Sequence, residues 1–402
     1  MNRSPRPNIC FLDPFCGVNQ RSAQAGVSYY LSRAIHAHWG KVTAFGPLEA
    51  EVPIETRIKS KLWRTFSRKR YVVNWDPAYC RNLAAVADRR ISENASDVVV
   101  TIFNQIVPFL ASAVPILVRT DSTFLAARRM GYPGFARACT LSCRQAVRSE
   151  KAAFDRARLI IVSNHHGARA IVADHGTAPS KIAVIAHGPH LDVDPGPEAP
   201  ADRMADGDTL RLLFVGSDWG RKGGPLLLEI FRALKRVNGR VQLTIVGCAP
   251  TNGMPSDQDV CVIERLNKDI PAEMAVLDSL FRKSHFLVLP TKAEACAIVY
   301  NEACAYSLPV VTTDVGGVRT AIKEGINGKL LPLVADARSW AKVITSAWQC
   351  QSQYAALCAG ARQMFERYLN YDTCGRAIKM AWERISQGVP AMEDYSFLRE
   401  PE

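Results

Sequence analysis

Short apolar runs alternate with stretches of helical period, and the alternation happens twice. The first set is Asn8–Asp13, Val42–Phe45, Asp97–Ile102, Ile116–Arg119, Leu159–Ser163 and Lys181–His187. The second is Leu210–Val215, Val241–Gly247, Asp259–Ile263, Phe286–Leu289 and Pro309–Thr313. Runs of this kind read as parallel strands buried on both faces. Between them, Gly26–His38 sets Val27, Tyr30, Leu31 and Ala34 on one helical face. Helical stretches also fall at Ser149–Ala157, from the Lys222 loop to about Arg236, and at Glu273–Lys283 and Ile298–Tyr306. Three more close the chain, at Asp336–Ala347, Gln353–Tyr368 and Tyr371–Ser386, the last with Ile378, Ala381 and Ile385 on its apolar face. Strands alternating with helices predict an α/β protein with parallel sheets. Pro195–Asp208, rich in Pro, Gly and acid and without period, divides the two sets as a linker would. The tail after Gly388 is polar and is expected to be poorly ordered.

Composition narrows this only a little. The chain has 402 residues, more than one ordinary domain needs, and 48% hydrophobic residues can fill two cores. No apolar run approaches the ~20 residues of a membrane span, and the start lacks an apolar signal-peptide core, so the expected location is cytoplasmic. The 12 cysteines are scattered without a CxxC pair and fall largely in apolar runs, which points to buried free thiols. The net charge of +12 comes with no nucleic-acid motif, so phosphorylated ligands or an anionic membrane surface suit it better. Arg57–Arg70 holds seven of the basic residues and no acid, with Ile58, Leu62, Trp63 and Phe66 on one helical face. Such a helix either lies on an anionic membrane or packs that face on its own domain; the sequence leaves both open.

The chemistry concentrates near the end of the second set. Phe286–Leu289 stops at Pro290, and the loop that follows carries Glu294 into a helix that carries Glu302. The next strand ends in Asp314-Val315-Gly316-Gly317, whose glycines let backbone approach a ligand. In such units ligands sit at the carboxyl ends of the strands. Amides at a helix start attract a diphosphate, while carboxylates accept hydrogen bonds from sugar and ribose hydroxyls. Earlier, the strand ending at Gly216 leads through Ser217 to Arg221-Lys222-Gly223-Gly224 at the start of a helix.

Together, the Glu294/Glu302 pair, the Ala-rich helix, Leu308-Pro309-Val310-Val311 and the Gly-Gly turn resemble the C-terminal domain of family 4 retaining glycosyltransferases. The resemblance implies the GT-B fold: two Rossmann-like domains facing across a cleft, with a final helix crossing back to the N-terminal domain. On this reading residues 1–192 bind the acceptor, 193–209 link, 210–369 bind the nucleotide sugar, 370–388 cross back and 389–402 are tail.

The implied reaction moves a sugar from a nucleotide-diphosphate donor, UDP- or GDP-linked, to a glycan or lipid-linked acceptor, with retention and without a metal. Lys222, Arg221 and the amides near Ala297 and Ile298 would hold the diphosphate, Glu294 the sugar and Glu302 the ribose. Arg265 lies where relatives hold the base, and Ser22–Tyr30 on the acceptor side. Relatives have Arg in place of Ser217, and His near the strand end where this chain has Arg119-Thr120-Asp121. Arg221 and Asp121 are the candidate replacements. His165 and His166 read as polar loop residues. The rival from another class is a catalytically silent GT-B protein that only binds a nucleotide sugar. A second rival is an inverting enzyme on the same fold.

Overall fold

The computed structural model describes residues 6–21, 23–197, 203, 209–250 and 257–399. The chain divides into two compact units, Met1–Ala186 with Tyr371–Glu402, and His187–Asn370. In the first, strands β1 (Asn8–Leu12), β2 (Lys41–Phe45), β3 (Val98–Thr101), β4 (Ile116–Thr120), β5 (Leu159–Val162) and β6 (Ile182–Val184) form one parallel sheet in the order β2-β1-β3-β4-β5-β6. Successive side chains take opposite faces, so Cys10, Leu12, Val99, Val118, Ile160 and Val162 enter one core and Ile9, Phe11, Val98, Val100, Leu117 and Ile161 the other. This two-faced burial is why the strands read as apolar runs without alternation.

The helices of this unit are α1 (Ala23–His38), α2 (Ile54–Phe66), α3 (Pro77–Glu93), α4 (Phe124–Arg129), α5 (Pro133–Ala136), α6 (Thr140–Arg156) and α7 (His165–His175). Val27, Tyr30, Leu31 and Ala34 of α1 are buried, as its period predicts. Helix α3 went unread; Asp76 caps it, accepting from the Ala78 amide at 2.9 Å, and Pro77 opens its first turn. Helix α6 begins nine residues earlier than expected, because its first turns bury the small residues Ser142, Cys143 and Ala146. His165 and His166 are not loop: they begin α7, behind the cap Asn164, which accepts from the Gly167 amide at 2.7 Å.

In the second unit, β7 (Leu210–Val215), β8 (Val241–Val246), β9 (Val260–Ile263), β10 (Phe286–Leu289), β11 (Val310–Thr313) and β12 (Gly328–Leu331) run parallel in the order β12-β11-β10-β7-β8-β9. Its helices are α8 (Gly224–Asn238), α9 (Pro271–Lys283), α10 (Ile298–Ala305), α11 (Val318–Ala321), α12 (Ala337–Gln349) and α13 (Gln351–Arg367). The strand order reverses between β7 and β10, which puts a topological switch point, and hence a ligand crevice, at their carboxyl ends.

Helix α14 (Tyr371–Ser386) belongs to the first unit, packed on α1. Gly375 makes the approach possible: a Cβ there would stand 2.6 Å from the Ala34 carbonyl oxygen. The tail departs from expectation. Phe397 is buried in the first unit's core, the Ala391 amide donates to the Ser180 carbonyl at 2.9 Å, and His165 stacks on Phe397 with ring centroids 4.7 Å apart. Its few apolar residues were hidden among polar ones. Most of the expected linker, 198–202 and 204–208, lies outside the described residues, as do Ser22 and 400–402. All 12 cysteines are unbridged; most are buried, but Cys261 and Cys350 are exposed.

Candidate functional site

The switch point of the second unit is built from two loops held against each other. After β7, the loop turns on Asp218, whose carboxylate accepts from the Arg221 amide at 3.0 Å. Gly223 then takes a left-handed φ of 78°, and a Cβ there would fall 1.8 Å from the Pro290 carbonyl oxygen. Only glycine lets the β7 loop lie this close to the end of β10. The Lys292 amide donates to the Arg221 carbonyl at 2.8 Å and completes the junction. Gly216 clears space for a side chain, since its Cβ would meet Lys222 Cγ at 3.1 Å.

Lys222 and Glu294 meet at this junction. Both are buried, at 8% and 3% exposure, and the ammonium is bonded directly to the carboxylate. Arg221 Nη1 donates to the same carboxylate at 3.4 Å and to the Ala293 carbonyl at 2.9 Å. Two cations thus converge on Glu294, with Arg221 Nε also 3.7 Å from the Asp218 carboxylate. Cys248 stands nearby; burial, with Asp218 adding, pushes its thiol up to about 11, so it stays protonated at neutral pH. The Gly317 amide donates to the Glu294 carbonyl at 2.9 Å, which brings the Gly-Gly turn to the site as the sequence suggests. Ala297 caps α10 without any side-chain cap bond, so the helix start presents backbone amides.

Glu302, buried on α10, forms a second ion pair with a half-buried partner. Its carboxylate is bonded to the Lys268 ammonium and accepts from the His190 amide at 3.3 Å. Sequence reasoning missed Lys268, whose surroundings carry no motif. The resemblance put Arg265, three residues before, near the base; that residue is exposed. Ser217 is exposed as well. Both carboxylates therefore already hold cations, which makes this an anion-ready surface rather than a cation pocket. In the first unit, Asp121 at the end of β4 is fastened to Arg119 and accepts from the Ser163 hydroxyl.

Residues 209–349 match the family described as "Glycosyl transferases group 1". The D-inositol 3-phosphate glycosyltransferase of Thermobispora bispora is 26% identical over 261 residues, covering 61% of this chain and 61% of that protein. That of Mycobacterium tuberculosis is 27% identical over 252 residues, covering 60% of this chain and 49% of its own. The chain thus spans about half to three fifths of the length of the curated relatives it matches. Among solved structures, sucrose-phosphate synthase from Thermosynechococcus elongatus superposes with a TM-score of 0.68 at 15% identity, covering 95% of this chain and all of that one. The Anabaena protein HepE, solved with UDP and glucose, gives 0.61 at 15% identity over 94% of this chain and 99% of its own. The fold is GT-B. In GT-B terms the paired loops lie in the C-terminal Rossmann-like unit, and the matched family and the relatives' names are those of sugar-transferring enzymes.

Proposed function

We propose that the protein is a retaining glycosyltransferase of family 4, moving a sugar from a nucleotide-diphosphate donor to a hydroxyl of a glycan or lipid-linked acceptor without a metal. One observation carries the reading: Lys222 and Arg221 converge on the buried carboxylate of Glu294 at the switch point. Arg221 also stands 3.7 Å from the Asp218 carboxylate, so two cations share two acids here, and a diphosphate, with more charge and more acceptor oxygens than either carboxylate, competes for both cations. On donor arrival the cations pass to the phosphates, with the amides at Ala297 and Ile298 assisting, and Glu294 turns to the hydroxyls of the sugar. Glu302, steadied by Lys268, takes the ribose diol. The nearby UDP-bound structure of HepE supports a nucleotide-sugar donor, UDP-linked first.

The chemistry follows from where charge develops. The bond between the anomeric carbon and the β-phosphate oxygen breaks, leaving negative charge on the diphosphate that Lys222 and Arg221 are preorganised to stabilise. The acceptor oxygen bonds to the same carbon from the same face, and its proton passes to the departing phosphate oxygen.

The test is thermal stability against UDP, GDP, ADP and TDP. At ~100 times its dissociation constant a ligand stabilises by about 2.7 kcal/mol, which is a rise of about 5–10 °C for a unit of this size. A rise with one base, absent in Lys222→Ala, is expected. Turnover of the matching sugar nucleotide should fall ~10²-fold or more in that variant. Unchanged turnover would remove the phosphate role; binding without turnover on any acceptor would leave the silent sugar-nucleotide binder. An inverted anomer by proton NMR would overturn retention.

A further inference from the structure

Helix α2 carries an apolar strip that the described residues leave exposed. Ile54, Ile58, Leu62 and Phe66 recur at every fourth residue, so they wind slowly along one side of the helix. Their exposures are 74%, 52%, 50% and 81%. The other side is the one that holds: Thr56 is buried, Trp63 is half-buried, and Lys59 Nζ reaches the buried Asp76 carboxylate at 3.0 Å. The sequence grouped Trp63 with the strip; the structure turns it inward and leaves the strip facing out. Of the face drawn from the sequence, Trp63 packs on the protein, while Ile58, Leu62 and Phe66 stay exposed among the described residues.

Charge borders the strip. Arg57, Lys61 and Arg64 fall along one flank on the helical wheel, and all three are exposed, as are Arg68, Lys69 and Arg70 beyond the helix. Glu55 stands in the first turn, where an acid suits the helix start. The Arg70 amide donates to the Arg137 carbonyl at 2.6 Å, and the Cys139 amide to the Arg70 carbonyl at 2.8 Å. This bridge carries the basic stretch to the start of α6, where Leu141, Arg144 and Arg148 are exposed at one helical face. Arg144 and Arg148, with Arg128, also line a cavity of about 500 Å³. No helix among the described residues is long and apolar enough to cross a membrane.

We propose that α2 seats the protein on an anionic lipid surface, its apolar strip entering the acyl boundary and Arg57, Lys61, Arg64 and Arg68–Arg70 meeting headgroup phosphates. Such an interface offers hydrocarbon and negative charge together, in the arrangement this helix presents. A second copy fits less well, because pairing two strips would bring like-charged flanks together.

The experiment is vesicle flotation of the full chain. Vesicles with about a third phosphatidylglycerol should carry the protein at low salt and release much of it at ~0.5 M NaCl, while pure phosphatidylcholine should not carry it. Leu62→Glu with Phe66→Glu should abolish flotation, and Arg57→Ala, Lys61→Ala and Arg64→Ala together should weaken it about 100-fold. Unchanged circular-dichroism melting keeps these variants interpretable, since every substituted side chain is solvent-facing or half-exposed. Failure to float with anionic vesicles, or undiminished flotation of the double Glu variant, would overturn the proposal. So would self-association that the double variant abolishes while vesicles bind neither protein.

Discussion

Asp76 shows how much one side chain can hold. It is fully buried, caps α3, receives the Tyr71 hydroxyl and pairs with Lys59 of α2. Burial pushes its carboxyl up, but the bonds from Tyr71, Lys59 and the Ala78 amide outweigh that, and the net shift is downward. A folded-state pKa below the unfolded value means stabilisation that is present above the ordinary carboxylate range and lost as pH falls through the folded value. Asp76→Ala should therefore cost about 2–4 kcal/mol at pH 7, from a lost cap and stranded donors. The gap to the parent protein should close below about pH 4, read by urea unfolding at several pH values. A gap that stayed constant down to pH 2 would show the charge to be irrelevant. Gly223 is decisive in another way. With φ at 78° and Pro290 behind it, Gly223→Ala must push the β7 loop off β10 and part Lys222 from Glu294. We expect a loss of about 2–4 kcal/mol and of nucleoside diphosphate binding together, measured by melting with and without the nucleotide. Loss of stability with binding intact would uncouple the turn from the site.

At the scale of elements, the short apolar strands and the Glu294–Gly317 block were legible because burial on both faces and tight turns leave strong marks in sequence. What escaped depended on partners distant in the chain. Helix α3 needs Asp76 as its cap, α6 buries small residues, and Lys268 gains meaning only from Glu302. Arg203 is the clearest case. It sits in a stretch that reads as passive linker, yet it is 1% exposed and spreads its guanidinium over the carbonyls of Phe281, Arg282, Tyr306 and Ser307. Those carbonyls end α9 and follow α10, where unpaired acceptors and the helix dipoles favour a cation. Arg203→Ala should lower the stability of the second unit by about 3 kcal/mol or more, since several buried acceptors lose their donor at once. Arg203→Lys should recover little, because an ammonium lacks the fork that reaches two helix ends. A Lys variant as stable as the parent would show that charge alone suffices.

At the scale of the molecule, the two units differ in how the chain makes them. The second is one continuous segment, His187–Asn370, whereas the first is closed only when Tyr371–Glu402 returns to it. The returning piece buries Cys374, Ile378, Ala381, Trp382 and Phe397, with Trp382 against Trp39 and Tyr371 stacked on Tyr30. At about 1.5–3 kcal/mol for each large apolar side chain, this burial is of the order of a whole domain's net stability. A chain ending at Asn370 should therefore lose the cooperative unfolding of its first unit. Residues 187–370 should still melt as a unit, and that transition should still rise with the nucleotide that stabilises the full protein. Calorimetry with and without nucleotide reads both transitions, and limited proteolysis identifies the surviving fragment. If the shortened chain kept the full heat of unfolding, the C-terminal helix would be an ornament on the first unit. If the nucleotide no longer shifted the remaining transition, donor binding would need more than the continuous unit, and the Lys222–Glu294 junction would be only part of the site.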